Sequence, residues 1–235
     1  RTFLNNYSGV CVTDGYQVYH SLENELEDLR VAGCWVHCRR KFNDALELIP
    51  KEHQKESILF LIMKQIQAIS REEKKLSELS SEERLVQRQL VVKPLVDALF
   101  VYLKQNQNKI SKSNKMHEAF TYTLNQERYL RVFLEDGDVP MDNNASERAI
   151  RGFCIGKKNW EMIDTINGAN SSAIIYSIAE TAKANNLKPY DYFEHLLTEL
   201  PKHADDTNRD FLASLLPWSE TLPEYIRKAK KIENK

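Results

Sequence analysis

One acid followed by two cations stands out in the run Asp142-Asn143-Asn144-Ala145-Ser146-Glu147-Arg148-Ala149-Ile150-Arg151. On a helix capped by Asn144, Glu147, Arg148 and Arg151 share roughly one face, because positions i, i+1 and i+4 lie close together around the axis. A carboxylate beside two guanidinium groups suits a site where the acid holds a metal ion and the cations grip phosphate. The same residues fit a plainer role. Asn144 and Glu147 have capping-box spacing, in which Glu147 returns a hydrogen bond to the cap backbone and does no chemistry. This motif alone does not separate the two roles.

A second acid lies far upstream. Ser8-Gly9-Val10-Cys11-Val12-Thr13 reads as a short strand that ends in Asp14-Gly15. An acid just past a buried strand sits where a rigid element opens outward, a common place for chemistry. Asp-Gly is also the commonest of turn dipeptides, so Asp14 is equally readable as a turn residue. A helical pattern starts at Tyr16, and the apolar run over 30–37 predicts a second strand ending near His37. Strand, helix, strand in that order predicts a β-α-β unit with a parallel pair.

Elements must then bridge the 133 positions between the acids (147 minus 14), too many for a simple connection. Leu59, Ile62, Ile66, Ile69, Leu76 and Leu79 recur at three- and four-residue steps and predict a long amphipathic helix. Ser80-Ser81-Glu82-Glu83 restarts a helix whose apolar face runs through Leu85, Val92, Leu95, Leu99 and Leu103, with Pro94 marking a kink or a new first turn. Met116, Phe120 and Leu124 predict another helix, and Tyr129, Val132 and Phe133 the next. No glycine occurs between Gly33 and Gly137, which agrees with long helices packed as a bundle. After Glu147, the string Phe153 to Trp160 reads as extended chain or a hairpin. A helix follows through Ala173, Ile174, Ile178 and Ala182 and closes at Asn185-Asn186. Pro189 opens the last, with Tyr192, Phe193, Leu196 and Leu197 inward.

Composition sets broad limits. The net charge of −1 announces no nucleic-acid partner, but binding depends on where charge clusters. From Arg148 to Lys158 there are four basic residues and no acid, and His37, Arg39, Arg40 and Lys41 form a second basic cluster. Both flank the two acids, where contacts to phosphate would set position rather than sequence preference. A third cluster near Arg227 is adequately explained as solvated surface. No apolar stretch approaches the roughly 20 residues needed to cross a bilayer, and no signal peptide leads the sequence. Cys11, Cys34, Cys38 and Cys154 lack the spacing of a four-ligand zinc site, so free thiols are expected.

Six ordered blocks carry a family resemblance. They are Thr13-Asp14-Gly15-Tyr16; Gly33-Cys34-Trp35-Val36-His37-Cys38-Arg39-Arg40-Lys41-Phe42; the Asp142 to Arg151 run; Gly156-Lys157-Lys158-Asn159-Trp160; Tyr176 to Lys183; and Leu216-Pro217-Trp218. The chain resembles the catalytic portion of insertion sequence 66 family transposases. That resemblance implies an α/β, mostly helical chain. It comprises a ribonuclease-H-like core (1–50 and 139–166), a large α-helical insertion (51–138) and a small C-terminal helical module (167–235). It implies a DDE triad of two Asp and one Glu holding two Mg²⁺ or Mn²⁺ ions, with Asp14 as the second acid and Glu147 as the third. Residues 1–13 contain no Asp or Glu. The chain is therefore expected to lack the first acid and the first strands of the core, and to be inactive by itself.

The implied activity is DNA cleavage and strand transfer at insertion-sequence ends. The alternatives are an inactive DNA-binding or assembly fragment, and a helical interaction protein whose two motifs are only a turn and a cap. Double-stranded DNA, further copies of the chain and accessory proteins of the same element are the implied partners, with no membrane. The implied setting is the bacterial cytoplasm, at the nucleoid when acting. DNA contacts are expected from His37, Arg39, Arg40, Arg148, Arg151, Lys157, Lys158 and Trp160. Plainer roles remain open as well: a backbone hydrogen bond for His37, and structural ion pairs for Arg148 and Arg151. Trp160 offers an indole face on which any base can stack, or a buried structural ring. The family often has Pro where this chain has Gly152, which bears on the local backbone path.

Overall fold

A computed structural model describes residues 4, 6–110, 114–156 and 163–229. Lys157, Lys158 and Trp160 lie outside the described residues. The chain divides into two compact units, Arg1–Ala145 and Ser146–Lys235.

The first unit begins with the β-α-β arrangement: β1 (Gly9–Thr13), α1 (Gln17–Glu25) and β2 (Leu29–Gly33). The strands are parallel, with Gly9 opposite Leu29 and Thr13 opposite Gly33. A helix between them is what a parallel pair demands, since the chain must return to its starting end. Val31, Ala32 and Gly33 of β2 are buried. The Val31 N–H donates to the Glu23 carboxylate at 2.8 Å, and a Cβ on Gly33 would lie 3.2 Å from the Leu130 backbone.

The second strand is shorter than its apolar run. It stops at Gly33, and α2 spans Trp35–Leu46. Cys34 closes the ladder by donating its N–H to the Thr13 carbonyl at 3.0 Å, while the Trp35 N–H, a first-turn donor, goes to the Met141 carbonyl at 3.1 Å. Trp35, Cys38, Phe42 and Ala45 are all buried, and their steps of three and four make one helical stripe. His37 is therefore a helix residue and not a strand end. Arg39, Arg40 and Lys41 project from the exposed side of that helix.

The intervening helices follow the expected stripes. After α3 (Lys51–Gln54), α4 (Ile58–Lys75) is capped by the Ser57 hydroxyl and buries Leu59, Ile62, Ile66 and Ile69. Leu76 and Leu79 fall beyond its end. A capping box of Ser80 and Glu83 opens α5 (Ser81–Gln87). A π-helical turn over Arg88–Val92 then leads into α6 (Lys93–Asn106) with Pro94 in its first turn. Pro94 has no N–H to offer, and the widened turn absorbs the missing bond without breaking the helix. α7 (Lys115–Asn125) and the single turn α8 (Glu127–Leu130) follow. Val132 and Phe133 lie in a 3₁₀ turn rather than on the helix expected there.

Trp35 and Phe42 of α2 meet Phe100, Phe120 and Phe133 edge to face. The helices over 51–138 thus share one core with β2 and α2. Gly137 fits where no side chain can: an added Cβ would lie 1.9 Å from the Ser81 carbonyl oxygen. The chain there rests directly on the start of α5, and Arg84 donates to the Gly137 carbonyl at 3.1 Å.

α9 (Asn144–Ile155) runs from the end of the first unit into the second, which also holds α10 (Ile166–Ala184), α11 (Pro189–Glu199) and α12 (Leu212–Leu215). The expected extended segment at Phe153 is instead the last turn of α9. Gly152 permits close contact there, since a Cβ would lie 3.2 Å from the Glu180 carboxylate of α10, and Phe153 packs edge to face on Tyr176 at 5.1 Å. Asn186 closes α10 in the left-handed region, with φ 58°. Ala182, Leu187, Tyr192, Leu222 and Ile226 form the unit's small core. Leu197, expected inward, is 71% exposed, because it lies about 100° around α11 from the Tyr192–Leu196 face.

Candidate functional site

Asp14 leaves the C-terminal end of β1 and is exposed. Three contacts fix the turn it sits in. Its Oδ1 accepts the Tyr16 N–H at 3.0 Å, its carbonyl accepts the Tyr122 hydroxyl at 2.8 Å, and the buried Thr13 hydroxyl accepts the Gly15 N–H at 3.4 Å. Gly15 takes φ 87°, where a side chain would be strained. The turn's own bond takes Oδ1, so the turn itself does not occupy the hard carboxylate oxygen Oδ2.

The lead-in to α9 reaches the same end of the sheet. The Trp35 N–H bond to Met141 ties this segment to the junction of β2 and α2. Cys34 is buried there among the backbone N–H groups of Val36, His37 and Asn143, with the Asp142 carboxylate nearby. Beside the junction is a cavity of about 210 Å³, lined by Trp35, Val36, Arg39, Lys74, Met141 and Asp142. One end of the sheet thus gathers Asp14, the first turn of α2 with His37, and the Asp142–Asn143 approach to α9.

Glu147 lies in the first turn of α9, half-buried, and Arg148 and Arg151 are exposed on the same helix. All three belong to the second unit. Asn144, expected to cap this helix, is its first helical residue, and its own N–H is taken by Asp142 Oδ1 at 2.9 Å.

Among the described residues, no three His, Cys, Asp or Glu side chains cluster closely enough to enclose a metal ion. The donor chemistry at Asp14 nonetheless fits Mg²⁺ or Mn²⁺. These ions take hard oxygens, and Mg²⁺ commonly uses one or two carboxylates while keeping several waters.

Two residues at the site carried no local signal. Tyr122 reaches Asp14 across 108 positions, and Lys74 lines the cavity from the far end of α4. Each sits in a helical stretch whose spacing reports only packing.

The thiols have distinct environments. Burial pushes Cys38 up to about 12, and burial likewise raises Cys34, against the lowering effect of the N–H groups around it. Cys154 is exposed on α9. Ellman's reagent at neutral pH is expected to label Cys154 within minutes and to leave Cys34 and Cys38 untouched until denaturant is added. Rapid labelling of Cys38 in the native protein would contradict its placement in the core.

Comparison with known proteins now adds an independent line. The family model described as "Transposase IS66 family" matches residues 1–171, and that described as "IS66 C-terminal element" matches residues 177–218. Three relatives in Sinorhizobium fredii are similar along most of the chain. Uncharacterized protein y4jD is 30% identical over 221 residues, 92% of this chain and 42% of its own length. Uncharacterized protein y4qI is 29% identical and y4hP 27% identical, each matched over 92% of this chain and 40% of its own length. The chain therefore spans about two-fifths of the length of these curated relatives. No solved structure matches it. A transposase model over residues 1–171, followed in order by that family's C-terminal element, identifies the chain as a member of the IS66 transposase family.

Proposed function

We propose that this chain carries part of the catalytic centre of a DDE transposase, which cuts DNA at insertion-sequence ends and joins those ends to target DNA. The observation that carries the proposal is the placement of Asp14. It stands at the open end of a parallel strand, held by the backbone of its own turn, with the lead-in to the Glu147 helix pinned to the same end of the sheet. A β-α-β unit with an acid at the end of its first strand is the arrangement expected of a ribonuclease-H-like core, here joined to a large helical region.

Asp14 and Glu147 are proposed to ligate Mg²⁺ or Mn²⁺. Bound there, a pair of such ions supplies activation of the attacking water or 3′-hydroxyl and neutralises charge on the leaving oxygen. The chain's own groups orient and hold. Arg148 and Arg151, one helical turn apart on α9, grip the phosphates of the strand to be cut. Arg39 and Arg40 on the exposed side of α2, with His37 in its first turn, extend the track along the duplex. Lys157, Lys158 and Trp160 are proposed to continue it.

Double-stranded DNA is the proposed partner, with further copies of the chain bridging paired ends and accessory proteins of the element joining them. None of the described helices is long and apolar enough to cross a membrane. The proposed place of action is the bacterial nucleoid.

A labelled duplex bearing the element's end, incubated with Mg²⁺ and the chain expressed together with its adjoining coding sequence, tests this. Asp14→Ala and Glu147→Ala are expected to abolish cleavage while leaving DNA binding in place. Cleavage that survives both substitutions contradicts the site. Binding without cleavage by the unsubstituted protein supports the alternative of an inactive DNA-gripping or assembly fragment.

A further inference from the structure

We propose that Tyr122, on α7 of the helical region, is a positioning residue that sets the geometry of the Asp14 carboxylate. The inference rests on the reading of Asp14 as a metal ligand. Its physical basis is the peptide between Asp14 and Gly15. The Tyr122 hydroxyl donates to the Asp14 carbonyl at 2.8 Å. A Cβ on Gly15 would lie 3.0 Å from that same hydroxyl and 3.2 Å from the Gln126 carboxamide, so α7 rests directly on this peptide. At φ 87°, Gly15 is the residue that lets the chain turn beneath α7 without strain.

Gln126 is 9% exposed, and its buried Oε1 has no hydrogen-bond partner among the described residues. One helical turn after Tyr122, it forms the second half of the wall. Lys41 of α2 holds the ring from outside, with its ammonium 5.5 Å from the ring centre.

The consequence is a carboxylate fixed from two sides. The Tyr16 N–H holds Oδ1, and Tyr122 fixes the plane of the following peptide. Oδ2 is left for the ion. The packing of α7 is carried elsewhere, by Ala119, Phe120 and Thr123, all buried on its inner face. Loss of the phenolic oxygen alone should therefore leave the fold intact.

The test measures Mn²⁺ binding to the whole chain by the electron paramagnetic resonance of free Mn²⁺, alongside the urea midpoint of each variant. Tyr122→Phe is expected to weaken Mn²⁺ binding about tenfold, the effect of disturbing a group that orients a ligand, with an unchanged urea midpoint. Asp14→Asn should abolish that binding, and Tyr122→Phe should add nothing on top of it. Gly15→Ala, which pushes against the same hydroxyl, should weaken Mn²⁺ in the same direction as Tyr122→Phe.

Wild-type affinity in Tyr122→Phe, with binding lost in Asp14→Asn, overturns the positioning role and leaves the ligand standing. A loss of affinity that merely tracks a lower urea midpoint also overturns it. Wild-type affinity in Asp14→Asn overturns the ligand assignment itself, and this role with it.

Discussion

Replacing Arg88 with alanine is expected to destabilise the first unit by about 3–5 kcal/mol, the cost of breaking a buried ion pair from one side. Arg88 is 1% exposed inside the π-helical turn, a rare degree of burial for a guanidinium. Its Nε donates to both oxygens of Glu73 at 3.1 Å, and its Nη2 donates again to Glu73. Nη1 donates to the carbonyls of Phe133 and Asp136 at 2.7 and 2.6 Å, and the group lies 5.1 Å over the Phe133 ring. Alanine would leave the Glu73 carboxylate and two carbonyls without their donor. Lysine would restore the charge but not the fork, and should recover only part of the loss.

Urea unfolding followed at 222 nm gives the number directly. A loss below about 1 kcal/mol would place Arg88 among surface ion pairs and contradict its burial. The effect should reach the proposed site as well. The Phe133 and Asp136 carbonyls lie just upstream of Met141 and Asp142, which carry the chain to α9. Arg88 thus holds the segment that precedes Met141 and Asp142.

The second large effect concerns chemistry. Asp14→Asn and Glu147→Gln keep size and hydrogen-bonding capacity but remove the negative charge that attracts a divalent ion. Each is expected to lower the rate of end cleavage by about a thousandfold, corresponding to about 4 kcal/mol of charge stabilisation lost at the reacting phosphate. The double variant should be barely slower than either single one, because ligands of one centre fail together rather than additively. Gel-resolved cleavage of a labelled end by the chain expressed together with its adjoining coding sequence, under single-turnover conditions, measures all three. Independent, multiplying losses would mean that the two acids serve separate functions.

Much of this architecture can be read from spacing, and the errors have physical causes. The β-α-β unit is legible because β-branched runs bracket a helical stretch and the strand ends are marked by glycine. α4 is legible from Leu59, Ile62, Ile66 and Ile69 alone. β2 ends earlier than its apolar run suggests because Cys34, Trp35 and Val36 continue that run, and so short a run does not distinguish strand from helix. What ends the strand is a pair of hydrogen bonds, from Cys34 to Thr13 and from Trp35 to Met141. The second of these goes to a carbonyl over a hundred positions away.

α9 runs past Gly152 for a similar reason, since Glu180 and Tyr176 of α10 pack on its last turns. Sequence showed the two acids as motifs but not what holds them. Arg88 meets Phe133 across 45 positions and Tyr122 meets Asp14 across 108. Neither partner leaves a mark on the local pattern of the other.

We propose that the carboxylates of Asp14 and Glu147 ligate one divalent ion. The most direct test is a crystal of the protein grown with Mn²⁺ and an end-sequence oligonucleotide, with the ion located by its anomalous scattering. The expected result is an Mn²⁺ peak between the two side chains, within about 2–2.5 Å of an oxygen from each, beside a phosphate of the bound strand. Asp14 and Glu147 found on different faces, or Mn²⁺ bound by other residues, would contradict it.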